Sequence, residues 1–90
     1  VNNTVAQILD ERKKTHGEYT THSKMAQDLK RVVRNSPNSA KLSDAQMEGL
    51  DMILHKVARI LNGDANHKDH WDDIAGYATL VSRELEKDKK

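Results

Sequence analysis

Asp69 and Asp73 stand four residues apart in a stretch whose apolar residues recur at helical spacing, so their carboxylates share one face. Two hard oxygen ligands one turn apart suit Mg²⁺, which takes one or two carboxylates and completes its shell with substrate phosphates and water. Asp72 lies between them but is turned by about 100° from Asp73 on a helix. Just upstream, Lys56 and Arg59 are three apart on the preceding helical segment. Lysine supplies a point charge and arginine a planar fork, and both suit phosphate. The two pairs admit two readings. One is a metal–phosphate site. The other is a salt-bridged hairpin whose first-turn acids complement the helix dipole.

Other side chains near these pairs carry chemistry of their own. His70, three residues before Asp73, has an imidazole that titrates near neutral pH and suits a general base. Tyr77 is four residues after Asp73, so its hydroxyl can hold that carboxylate or a ligand. Gly76 beside it costs a helix about 1 kcal/mol against alanine, which is tolerable where a ligand or another helix comes close. Thr15-His16-Gly17-Glu18-Tyr19 forms a compact polar turn in which His16 can hydrogen-bond a ligand and Tyr19 can stack on a base, or which simply separates two helices. His67 and His70 have a spacing compatible with sharing a metal, yet zinc needs three or four defined ligands, and the paired-histidine helix motif with its glutamate base is absent. Asp64-Ala65-Asn66 begins like a calcium loop, but Lys68 stands where an oxygen ligand belongs and the loop glycine is missing. The sequence contains no P-loop, no GxGxxG and no serine nucleophile motif.

Four helices are expected to position these groups. The first runs to Lys14 with Val5, Ile8 and Leu9 as its stripe, capped by Asn3 or Thr4 and broken by Thr15-His16-Gly17. Glu18 to Asn35 is a second, with Met25, Leu29, Val32 and Val33 at 3–4 spacing. Ser36-Pro37-Asn38-Ser39 ends it, because proline cannot continue a helix and disfavours helical geometry before it. Ser43 to Asn62 is the third. Ser43 and Gln46 make a capping box, and Met47, Leu50, Leu54, Val57 and Leu61 form one face, widened by Ile53 and Ile60. Gly63 caps its C-terminus. The last helix runs from Asp69 to about Lys87 with Trp71, Ile74, Ala78, Val81 and Leu85 as its core face. No β-alternation persists over five residues. The expectation is an all-α domain over residues 1–90, its last two helices an antiparallel hairpin and its charged tail from about 86 to 90 frayed.

Composition bounds the partners. The chain has 90 residues, 36% hydrophobic and 3% aromatic, with no phenylalanine. A core this thin predicts a homo-oligomer. Fifteen basic residues against 14 acidic ones give a net charge of +1, too balanced to argue for nucleic-acid binding. The runs Arg12-Lys13-Lys14 and Lys30-Arg31 with Arg34 read as solvated helix faces. Without cysteine, disulfides, thiolate catalysis and cysteine-type zinc sites are excluded. No apolar run approaches a membrane span and no signal-peptide pattern opens the sequence, so a cytoplasmic location is expected.

Three segments together resemble a known domain: Thr15-His16-Gly17-Glu18-Tyr19, then Met52-x-x-x-Lys56-x-x-Arg59-Ile60-x-x-Gly63, then Asp69-x-Trp71-x-Asp73-Ile74-Ala75-Gly76-Tyr77-Ala78. They look like DUF6378, a small phage and prophage domain of uncharacterised function. That domain in turn is similar to the MazG-like all-α nucleoside triphosphate pyrophosphohydrolases. The resemblance implies a helical bundle that forms a dimer or tetramer, Mg²⁺ held by an E-E-x-x-E helix and an E-x-x-D helix, and cleavage of (d)NTPs to monophosphate and pyrophosphate. Asp73 with Tyr77 matches the second helix. Two departures stand out: His70 occupies the glutamate position of E-x-x-D, and the upstream helix offers Asp51, His55, Lys56 and Arg59 in place of E-E-x-x-E. Fewer carboxylates argue against standard multi-magnesium chemistry.

The sequence therefore predicts a nucleotide or phosphate ligand between the third and fourth helices. Lys56 and Arg59 would hold phosphate, Asp69 and Asp73 would hold one Mg²⁺ or orient the cations, and His70 would be the base. Hydrolysis is an altered or residual activity in this reading. The alternative is a non-enzymatic module that binds a host or phage protein through its helical surface.

Overall fold

Reciprocal side-chain caps start two of the helices. Thr4 Oγ1 accepts from the Gln7 amide at 3.1 Å while Gln7 Oε1 accepts from the Thr4 amide, and Ser43 and Gln46 repeat the arrangement. These boxes open α1 (Val5–His16) and α3 (Asp44–Asn62) in a computed structural model that describes residues 4–88. Between them lie α2 (Tyr19–Arg34) and a short 3₁₀ turn (Ser39–Lys41), and α4 (Lys68–Asp88) ends the described chain. The protein is all-α, with no strand among the described residues. α1 continues through Thr15 and His16, so Gly17 alone breaks it. α4 continues through Asp88, past the expected onset of fraying. Asn3 and the last two residues of the tail lie outside the described residues.

α3 is the centre of the molecule. It packs against α2 on one flank and α4 on the other, and these are the two most extensive helix contacts. α1 touches α2 and α3. The α2 flank of α3 carries His55 and Ala58, and the α4 flank carries Gly49 and Lys56. These positions fall on opposite sides of one helix. α2, α3 and α4 therefore form a layer, with α1 laid across one face of it.

Two turns dock to hold α1 in place. The carbonyl of Thr15 accepts from the amide of Asp64 at 3.0 Å, and Asn62 Nδ2 donates to the carbonyl of Glu18 at 3.1 Å. Glycine is required on both sides of this contact. Gly17 has φ 85°, and a Cβ there would run into Asn62. Gly63 caps α3 as expected, its amide donating to the Arg59 carbonyl at 2.8 Å, and it does so with a negative φ. Hydrogen is needed because a Cβ would strike the Thr15 carbonyl. Gly76 differs from both: nothing lies within 4 Å of where its Cβ would be, so no helix approaches it.

The interior is small. Ala26 and Ala58 are the buried apolar residues, joined by the polar His22, Lys56 and His70. The apolar faces read from sequence are helical faces, but the single chain does not enclose them. Trp71 is 53% exposed, Leu61 63%, and Val5, Ile8, Leu9 and Leu85 are also exposed. Trp71 still finds a hydrogen-bond partner, its Nε1 donating to the Ala65 carbonyl at 2.8 Å.

Candidate functional site

Lys56 is 8% exposed, and its ammonium needs a counter-ion. Asp73 supplies it across the α3–α4 hairpin, Oδ2 to Nζ at 2.8 Å. The lysine holds the Asp73 carboxyl below its ordinary range, first by hydrogen bond and then by charge, with Arg59 adding to the effect. Of the two readings of these residues, the geometry of this pair is that of a locked hairpin.

The other predicted acids do not join it. The Asp69 side chain is 79% exposed and stands 3.8 Å from His67 Nε2. Asp51 pairs instead with Arg34 at 3.1 Å, on the α2 flank of α3 and so away from Asp73. Among the described residues no group of three or more His, Asp or Glu side chains converges. The three carboxylates are thus dispersed among different partners, Asp51 with Arg34, Asp69 beside His67 and Asp73 with Lys56.

His70 also departs from the expected role. It is 2% exposed, the most enclosed large side chain among the described residues. Its Nε2 stands 2.8 Å from the Thr15 carbonyl, which can only accept, so this nitrogen carries the proton. The rings of His16 and His67 pack edge-on against it, with centroids at 5.0 and 4.8 Å. A general base must reach the proton it removes. His70 is a strut fixing α4 to the end of α1.

Arg59 is the other cation of the predicted pair. It is half-buried on α3 and faces a cleft of about 530 Å³ bounded by α1, α2 and α3. Among the described residues no carboxylate lies within ion-pair distance of its guanidinium. Burial and then the charge of Arg12 push its pKa down, while Asp73 and Tyr77 act more weakly in the opposite direction. Arg12, exposed on α1, lines the same cleft, with Ala6 and Leu9 as the apolar wall and Tyr19 at the rim. Lys13 is occupied by Glu18 at 3.0 Å.

Three histidines complete the lining. His16, His22 and His55 all face this cleft. The rings of His22 and His55 meet edge-on at 4.6 Å. Burial first and Arg59 second lower all three pKa values, to about 4 for His16 and for His55. His16 and His55 are neutral at pH 7, and the permanent cations lining the cleft are Arg12, Arg59 and the Glu18-paired Lys13. His22 Nδ1 is buried without a hydrogen-bond partner.

The expected residues thus divide between two faces. Arg59 and His16 line the cleft with α1 and α2. Asp73 and Tyr77 share a shallow groove on α4 with Gly76 and Arg83. Lys56 is buried between α3 and α4. Sequence reading did not assemble His22, His55 and Arg12 around Arg59. One signal was present, since His55 and Arg59 are four apart and share a helical face.

A model of the domain described as Domain of unknown function (DUF6378) matches residues 1–85. The chain belongs to the DUF6378 family. No curated protein and no solved structure matches it. The match spans all three segments that carry the resemblance, including both docked turns and the residues of the cleft. Phage origin and similarity to MazG-like enzymes lie beyond what membership of DUF6378 states. No helix of the described residues is long and apolar enough to cross a membrane.

Proposed function

We propose that this DUF6378 protein binds a phosphate-bearing ligand, a nucleotide in the first instance, in the cleft between α1, α2 and α3. Arg59 is the principal anion contact. The observation that carries this reading is a half-buried guanidinium with no carboxylate within ion-pair distance among the described residues, opening into a cleft of nucleotide size. Arg12 stands across from it to share the phosphate charge. Tyr19 and the Leu9 wall offer a planar base an aromatic and an apolar surface. The site moves from the α3–α4 groove expected from sequence because Lys56 is committed to Asp73.

A MazG-like ancestry in a phage protein is compatible with this ligand class. Metal-dependent pyrophosphohydrolysis is not supported by the dispersed carboxylates, and binding without turnover is the preferred form of the proposal. The test is a thermal-shift and calorimetric titration with each (d)NTP, each monophosphate and inorganic phosphate, with and without Mg²⁺. Wild-type protein is expected to gain stability from nucleotide, and Arg59→Ala to lose that gain. Absence of any shift at saturating nucleotide refutes the proposal. Pyrophosphate release above an Asp73→Ala control would restore the enzymatic reading.

The second reading, a protein-interaction module, has one observation in its favour: apolar side chains of α3 and α4, Leu61 and Trp71 among them, lie uncovered.

A further inference from the structure

The three-helix layer has two unlike faces. One carries Arg59, His55, Asp73 and Tyr77, with α1 across it. The other carries the strongest apolar stripe in the sequence. Met47, Leu50, Leu54, Val57 and Leu61 recur at 3–4–3–4 spacing along α3, and none of the five is buried. They lie between the flank packed on α2 and the flank packed on α4. On α4, Trp71, Ala78 and Leu85 fall at intervals of seven beside the residues that contact α3, on the side away from Asp73, and all three are exposed. On α2, Met25 and Val32 fall on the side away from Lys30, whose charge reaches His22 and His55 in the cleft. Helical spacing thus gathers the apolar stripes of all three helices on one face. None of these positions carries a charge.

The surface area gives the scale of what is uncovered. A compact monomer of 10.2 kDa exposes about 5,300 Å². This chain exposes 6635 Å². The excess is larger than the roughly 800 Å² that each partner gives to a standard interface. The radius of gyration, 15.6 Å, is likewise above the value of about 12 Å for a compact domain of this length. With Ala26 and Ala58 as the only buried apolar residues among those described, the chain lacks a core of its own.

We infer that this face is covered by a second copy of the same chain, packed layer on layer as an isologous dimer. A core that is missing from every molecule has to be supplied whenever the chain folds, and a second copy is the one occupant present at the chain's own concentration. Two stacked layers turn the α3 stripes into a shared interior and leave both Arg59 clefts on the outer faces. This inference is independent of the ligand reading, because the cleft lies on the opposite face.

The experiment measures mass by light scattering and melting temperature over a concentration series, on the full chain. Wild-type protein is expected at twice 10.2 kDa or a multiple of that, with a melting temperature that rises with concentration. Emission from Trp71, the only tryptophan, should shift to the red on dilution. Leu61→Lys with Ala78→Glu should lower the mass, whereas Leu80→Lys, exposed on the other side of α4, should leave it unchanged. A folded wild-type chain of single mass with a concentration-independent melting temperature overturns the inference. So does a wild-type oligomer that survives the face substitutions and is dissolved by Leu80→Lys. The wild-type concentration series decides the matter even where a variant fails to fold.

Discussion

Asp73 Oδ2 and Lys56 Nζ are 2.8 Å apart, and the two partners are unequally buried: the lysine side chain is 10% exposed and the aspartate 48%. Breaking the pair from one end is therefore not equivalent to breaking it from the other. Asp73→Ala strands an ammonium with little access to water, whereas Lys56→Met leaves a carboxylate that solvent can take up. Asp73→Ala is expected to lower the denaturant midpoint more than Lys56→Met does. The double variant should lie close to Lys56→Met. Equal losses from the two single variants would show that the lysine is better solvated than its burial implies.

The glycines sort by surroundings. Gly76→Ala adds a methyl group where nothing stands within 4 Å, in the interior of a helix. It should raise stability by up to about 1 kcal/mol. Gly63→Ala meets the Thr15 carbonyl, and Gly17→Ala meets Asn62 at a positive φ. Both should destabilise, and both should weaken nucleotide binding because they separate α1 from α3. Chemical denaturation of the three variants in parallel checks the ordering.

His70→Leu removes one of two donors from the Thr15 carbonyl, which keeps the Asp64 amide, and should cost about 0.5–1.5 kcal/mol for the lost hydrogen bond. If His70 is only a strut, the variant loses stability while retaining nucleotide affinity under conditions where it stays folded. A variant of undiminished stability that has lost a hydrolytic activity present in the wild type would return His70 to the role of base.

Acid should weaken the fold over a defined window. His16 and His55 titrate at about 4 in the folded protein against 6.5 for an unperturbed imidazole, and His22 is lowered in the same direction. Above both values neither state binds the proton. Between them the unfolded chain binds more protons, so stability is full above pH 6.5 and falls as pH drops towards 4. Denaturant midpoints should fall between about pH 7 and about pH 5, and His55→Gln should flatten the curve. A flat profile in the wild type would mean that the cleft is well hydrated.

Much of the fold was legible because its signals are local. The Ser43–Gln46 box, the Pro37 stop and the 3–4 spacing of the third helix each act within one or two turns, and each reappears in the structure. The site was less legible because it depends on which way a helix is rotated. Lys56 and Arg59 are three apart and look like one pair in sequence, yet Lys56 pairs with Asp73 on α4 while Arg59 lines the cleft with α1 and α2. Asp69 and Asp73 divide in the same manner, one against His67 and the other against Lys56. The burial expected of Trp71, Ala78 and Leu85 failed for a different reason. Periodicity identifies an apolar face but says nothing about whether the same chain covers it.

α1 has no buried residue and is tied down mainly at its C-terminal end, where Thr15 accepts from partners 49 and 55 residues further along the chain. Such a helix belongs to the low-stability end of the molecule and opens without global unfolding. It also supplies Arg12 and Leu9 to the cleft. The fraction of time that α1 is docked therefore multiplies the intrinsic affinity of the cleft. Hydrogen exchange in α1 should be fast without ligand and slow with it, making this one helix a direct reporter of occupancy.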